Sequence, residues 1–218
     1  MVIPAEADRA RRLVSDAPAL PAGATKDGTA GRILAAALVL FAEQGFSGAS
    51  IRDVAAAAGV RSATLYAHHP SKEHLLAEIA TVGHEEHHRT LRASLLESGP
   101  GAADQLAHLV RAHVRFHADY SMLAMVANTE MHALAAPLAA PALALRRQSE
   151  SMFEDVIQRG IDQGSFDVPH PWVTMAAVAG MGLRVANWFR PGFELDADQV
   201  AAVHAELALR MVGATNER

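Results

Sequence analysis

The stretch Ser50 to Lys72, SIRDVAAAAGVRSATLYAHHPSK, restricts the fold of this chain more than any other. Ser50 stands at a helix N-cap position, and Asp53, three residues on, brings a carboxylate to the positive helix end. Ile51, Val54, Ala55 and Ala58 recur at helical spacing and make one face apolar. Gly59 stops the helix, because glycine takes a left-handed turn at no steric cost, and Val60 follows as an apolar plug. Arg61 to Ala67 forms a second short helix with Leu65 pointing inward, and the small Ala55 lets the two helices cross closely. This is a helix-turn-helix layout, whose second helix can lie in a DNA major groove. Short helix pairs around a glycine corner also occur in proteins that never meet DNA, so the pattern alone leaves both readings open.

The surroundings decide between them. The ordered set Phe41, Gly45, Phe46, Ser50, Ile51, Val54, Ala55, Gly59, Val60, Thr64, Leu65, Tyr66, His68, Ser71, Lys72 and Leu75 resembles the N-terminal domain of the TetR/AcrR family of transcriptional regulators. Family members usually carry V-S-x-G-T-L-Y-x-H-F-x-S-K-E where this chain reads V-R-S-A-T-L-Y-A-H-H-P-S-K-E. Arg61 replaces the serine that would cap the second helix, Ala63 a frequent glycine, and His69 an aromatic that usually packs inside. The resemblance implies an all-α protein with an N-terminal three-helix DNA-binding domain and a C-terminal helical bundle that binds ligand and dimerises. It also implies that Lys72 meets a DNA phosphate.

The charge distribution agrees with a DNA-binding head. Net charge is −5, yet residues 1–72 hold eight Lys/Arg against six Asp/Glu. A weakly basic head makes few phosphate contacts per subunit, so useful affinity calls for a dimer. Half the residues are hydrophobic and aromatics are few, which favours helices. No cysteine is present, which excludes disulfides and thiolate metal sites. The N-terminus lacks the apolar run of a signal peptide, and the run Trp172 to Leu183 is too short to span a bilayer. The expectation is a cytoplasmic protein with no membrane partner.

Residues 1–27 mix Pro, Ala, Gly and charge and read as a flexible arm. Its Arg9, Arg11 and Arg12 either enter a minor groove or are plainly solvated, the second reading carrying the higher prior. Residues 28–75 form the DNA-binding domain and residues 76–218 the ligand-binding and dimerisation domain. Helices are expected over 31–44, 71–96, 102–118, 120–134, 141–163, 171–189 and 196–212, with Pro137 and Pro141 interrupting between the fourth and fifth of these. The helix over 71–96 is the mechanical link between domains.

Ser50, Arg52, Arg61, Ser62, Thr64, Tyr66, His68 and Lys72 are the candidate DNA contacts. Arginine takes guanine bidentately, threonine reaches a thymine methyl or a phosphate, and tyrosine donates to a phosphate. His84-Glu85-Glu86-His87-His88 contains the H-E-x-x-H spacing of zinc proteases, but Ser94 stands where a third ligand belongs, so no protease is expected. The pairs His84/His88 and His113/His117, together with Glu130, have the donor types of a regulatory N/O metal site. An Ala/His-rich helical surface explains the same residues, and no metal is called for. For the effector, His113, His117, Met122, Met125, Phe153, Trp172, Met175, Arg184 and Trp188 are the candidate pocket, against plain bundle core for each alone. Arg184 either anchors an acidic ligand group or pairs with an acid across a dimer. The tail from Arg184 through Trp188 to Leu209 resembles family members that sense acyl- or steroid-CoA thioesters.

Small residues along Ala176, Ala179, Gly180, Ala186, Ala201, Ala205 and Ala208, with Val200, Val203, Leu207 and Met211, suit a four-helix homodimer interface. There is no phosphate loop and no convincing enzyme site. The expectation is a dimeric repressor released from its double-stranded DNA operator by a small apolar or acyl-CoA-like effector, needing no cofactor. The rival is a metal- or small-molecule-binding helical protein that keeps an idle DNA domain.

Overall fold

The computed structural model of the chain describes residues 20–22, 24 and 28–214. The basic cluster Arg9, Arg11 and Arg12 lies outside the described residues. Among those described there are nine α-helices: α1 (Thr29–Gly48), α2 (Ile51–Ala57), α3 (Ser62–His68), α4 (Lys72–Glu97), α5 (Ala102–Asp119), α6 (Ser121–Thr129), α7 (Ala136–Asp162), α8 (Pro171–Leu183) and α9 (Ala197–Met211). Two 3-10 turns, Met131–Ala133 and Arg184–Asn187, complete the regular structure, and no strand occurs among the described residues. The all-α expectation holds.

The described residues form two compact units, one of those up to 86 with 120–144, the other of 87–119 with 145–214. In the first, Ile33, Leu34, Ala37, Leu38 and Phe41 of α1 pack with Val54, Ala55, Leu65, Leu75, Leu76 and Ile79 in one buried cluster. Met122, Leu123 and Val126 of α6 belong to that same cluster, although they lie far along the chain. By length and composition α1 is apolar enough to cross a membrane, the one such helix among the described residues. Its apolar stripe is instead spent on this core, where Ile33, Ala37 and Leu38 are fully buried. At Gly45 the backbone leaves helical geometry (φ 71°, ψ 164°), so α1 kinks one turn before its end at the glycine expected to stop it.

The second unit is built on α5, whose Leu106, Leu109, Val110 and Val114 pack with Phe153, Val156 and Ile157 of α7, Met175 and Val178 of α8, and Val200, Ala201, Ala205 and Ala208 of α9. Several boundaries differ from the expectation: α1 runs to Gly48 rather than 44, and α6 ends at Thr129 rather than 134, followed by the 3-10 turn Met131–Ala133. Helix α7 begins at Ala136 and runs through Pro141. Pro137 falls in the first turn, where a missing N–H loses nothing, and Pro141 removes a single bond near the helix start, which packing absorbs. Helix α8 ends at Leu183 rather than 189, and Arg184–Asn187 tightens into a 3-10 turn.

Candidate functional site

Helix α2 starts on a complete capping box. The Ser50 hydroxyl accepts from the Asp53 N–H at 3.2 Å, and the Asp53 carboxylate accepts from the Ser50 N–H at 3.3 Å. It ends in a Schellman turn: Val60 N–H donates to the Ala55 carbonyl, Gly59 N–H to that of Ala56, and Gly59 takes φ +67°. That turn aims α3. Leu65 is fully buried beneath it, while Arg61, Thr64, Tyr66 and His68 are exposed and Ser62 is half-buried. Arg61 occupies the N-cap of α3 without any side-chain cap bond, which leaves its guanidinium to the surface. Ser50 and Arg52 are exposed at the start of α2. A polar helix face backed by one deeply seated leucine, at a fixed angle to its partner helix, has the form of a groove-reading element.

Lys72 is turned elsewhere. Its ammonium donates to the carbonyls of Phe46 at 2.6 Å and Ala49 at 2.9 Å, and lies 4.3 Å from the centre of the Phe46 ring. It therefore clamps the corner between α1 and α2 with two of its three donors, where the resemblance implied a DNA phosphate as its partner. A second clamp escaped the sequence reading: the Glu130 carboxylate accepts from the Phe46 N–H at 3.2 Å. Glu130 thus belongs to the helix-turn-helix corner and not with the histidines. Arg32 was also missed; its Nε–H donates to the Ala58 carbonyl at the end of α2, at 3.5 Å.

His69, where the family places an aromatic, is buried, with its Nδ1 3.2 Å from the Glu78 carboxylate. Its Nε2 is buried without a hydrogen-bond partner among the described residues. Burial pushes its pKa below the usual histidine value, against the opposing pull of Glu78.

The candidate pocket residues divide between the two units. Met122 is in the core of the first unit and Met125 is half-buried on the same helix. In the second unit Phe153 and Met175 are core, Arg184 is exposed, Trp172 is 69 % exposed and Trp188 is 38 % exposed, stacked on His204. His113 and His117 are buried, and the α4 histidine that joins them is His87, not His84 or His88. His113 Nε2–H donates to the Ala179 carbonyl at 2.9 Å, and its ring stacks edge-on to Phe153. Gly182 accommodates that ring, since a Cβ there would overlap it. Burial, with His117 adjoining, drives the His113 pKa down to about 3, so the ring is neutral at physiological pH.

Residues 33–79 match the family model described as "Bacterial regulatory proteins, tetR family", and residues 99–212 match "Tetracyclin repressor-like, C-terminal domain". The chain is similar to the HTH-type transcriptional repressor KstR2 of Rhodococcus jostii, 28 % identical over 191 residues, covering 84 % of this chain and 91 % of that protein. A solved bacterial regulatory protein in the tetR family from Rhodococcus RHA1 superposes with a TM-score of 0.81 at 31 % identity, covering 88 % of this chain and all of the other. The structure of AibR in complex with isovaleryl coenzyme A and operator DNA shares the fold, with a TM-score of 0.75 at 22 % identity over 86 % of this chain and 100 % of that one. With both halves of the chain matched, it belongs to the TetR family of ligand-responsive, DNA-binding transcriptional regulators.

Proposed function

We propose that this protein is a homodimeric repressor that reads its operator through α3 and releases it when a small effector enters the C-terminal helices. The observation that carries the reading is the exposed set Arg61, Thr64, Tyr66 and His68 over the buried Leu65, on a helix pair held by a capping box and a Schellman turn. Arg61 and Thr64 are proposed to meet base edges, with Ser50, Arg52, Ser62, Tyr66 and His68 holding phosphates. The Lys72 clamp supports a positioning role for that residue rather than a phosphate contact.

Dimerisation is proposed through α8 and α9. Trp172 and Val173 on α8, with Val203, Leu207 and Met211 at four-residue spacing on α9, are exposed apolar side chains, and Ala176 and Ala177 one turn further along α8 are exposed too. A face of this kind is what a two-fold helical interface buries. Successive major grooves lie about 34 Å apart, so a shift of a few ångströms between the two recognition helices breaks simultaneous docking. Losing one of two linked contacts forfeits the avidity of the pair. The effector is proposed to be an apolar acyl-CoA-like molecule, docking beside Phe153, Met175 and the buried imidazoles of the second unit. Its class is supported by the kinds of ligand met in proteins of this fold.

The test is DNA-fragment selection followed by anisotropy titration of the selected duplex. Arg61→Ala and Thr64→Ala are each expected to weaken specific binding by about 1–3 kcal/mol and to relax base preference at separate positions. Wild-type binding by both variants would remove α3 from the interface. Acyl-CoA thioesters of increasing chain length are then screened for release of the duplex, and no release by any of them removes the effector class.

A further inference from the structure

The buried imidazoles of the second unit, beside which the effector is proposed to dock, form a cluster whose ring nitrogens neither DNA reading nor effector release explains. His87 of α4 and His113 and His117 of α5 are all buried, and each offers a ring nitrogen within 4.8 Å of the other two. His87 Nε2 lies 2.8 Å from His113 Nδ1. Their hydrogen bonds define the tautomers. A peptide carbonyl only accepts, so His113, bonded through Nε2 to the Ala179 carbonyl, carries its proton there and presents a lone pair at Nδ1. His117 bonds through Nδ1 to the His113 carbonyl at 2.8 Å, so its lone pair is on Nε2. Both rings are thereby oriented by outer backbone acceptors, the arrangement that fixes and strengthens imidazole ligands of a metal.

We propose that His87, His113 and His117 bind one transition-metal ion of the Zn2+, Co2+ or Ni2+ class. His113 Nδ1, His117 Nε2 and His87 Nε2 are the ligands, and the fourth position is left to water or another small donor. The all-nitrogen donor set selects these ions over Mg2+ and Ca2+, which take oxygen. Metal–nitrogen bonds of about 2.0–2.1 Å in a tetrahedron put neighbouring nitrogens about 3.4 Å apart. The His87–His113 contact at 2.8 Å therefore opens by a fraction of an ångström as the ion enters. The proton on that contact moves to His87 Nδ1, so the ring stays neutral and a lone pair turns to the metal. Three buried imidazoles from two helices are a poor substitute for aliphatic core unless something uses their nitrogens. A hydrogen-bonded imidazole cluster with no ion is the rival outcome.

The test uses the full-length dimer, free of any histidine tag and stripped with chelator, and needs neither DNA nor effector, so its failure is distinct from failure of the repressor reading. Co2+ is titrated and followed by visible absorption. The expected result is one equivalent per protomer with the intense bands of tetrahedral Co2+, displaced by Zn2+. His117→Gln and His87→Gln are expected to weaken Co2+ binding by about 100-fold or more, while His108→Ala, altering a histidine outside the cluster, leaves it unchanged. Glutamine keeps a polar side chain of similar bulk, and near-native circular dichroism confirms that each variant is folded. Co2+ remaining in its pale octahedral form, or full-strength tetrahedral bands in His117→Gln and His87→Gln, overturns the proposal.

Discussion

Replacing Lys72 by Met separates two roles that a lysine at this position can play. The substitution keeps an apolar stem over the Phe46 ring and removes the ammonium. Two charged-group hydrogen bonds are lost, at 2.6 and 2.9 Å to the carbonyls of Phe46 and Ala49. Solvent screening of a half-buried donor reduces each bond to the ordinary net value of about 1 kcal/mol, so the pair is worth about 2 kcal/mol. For a chain of this length the loss lowers Tm by about 4–8 °C. The Ser50 capping box follows directly after Ala49, so loosening the clamp also disturbs how α2 begins. Thermal unfolding at fixed protein concentration measures the stability change, and anisotropy across a salt series measures the DNA side. A positioning lysine predicts lower stability and an unchanged salt slope once the folded fraction is accounted for. A phosphate-binding lysine predicts unchanged stability and a slope shallower by about one unit for each protomer. The second pattern refutes the clamp.

Three further expectations rest on other parts of the fold. His69 has its pKa lowered by burial, so its neutral form supports the folded state fully above the unfolded value near 6.5, and that support fades as pH falls from there toward the folded pKa. Glu78, His68 and His74 face the same ring and are present in the variant too; His69→Phe, which removes the buried Nε2, is expected to raise stability by about 1 kcal/mol and to flatten this pH dependence in urea titrations. Gly160→Ala drives a Cβ into the Phe166 ring, and chemical denaturation is expected to show a loss of about 1–3 kcal/mol. Leu207→Glu, placed on the exposed apolar stripe of α9, is expected to yield monomers by analytical ultracentrifugation while leaving helix content near wild type.

The helix-turn-helix was legible because its signals are local. Ser50 with Asp53 caps, Gly59 turns and Leu65 anchors, each within one helical turn of its partner. What escaped depends on contacts remote in sequence. Glu130 bonds the N–H of Phe46 across 84 positions, and no spacing rule reaches that far. The direction of Lys72 was set by two carbonyls freed where α1 kinks, and nothing in the residue itself distinguishes a carbonyl from a phosphate. The histidine pairs were found by i,i+4 spacing on each helix, but which α4 histidine meets His113 depends on how that helix is rotated, and this brought in His87. Pro141 reads as a break, yet a proline six residues into a 27-residue helix loses one bond of many. Trp172 and Trp188 read as pocket lining because size and apolarity usually mark burial, and sequence alone did not reveal that both side chains are exposed.

The central claim is that two copies of α3 are presented together to one duplex. Footprinting of the wild-type protein on its selected DNA tests this most directly, with complex stoichiometry measured by sedimentation. Two protected half-sites related by a two-fold axis, centred about one helical turn or a multiple of it apart, with an even number of chains bound, is the predicted result. A single asymmetric footprint from one chain, or no preferred sequence at any salt concentration, contradicts it.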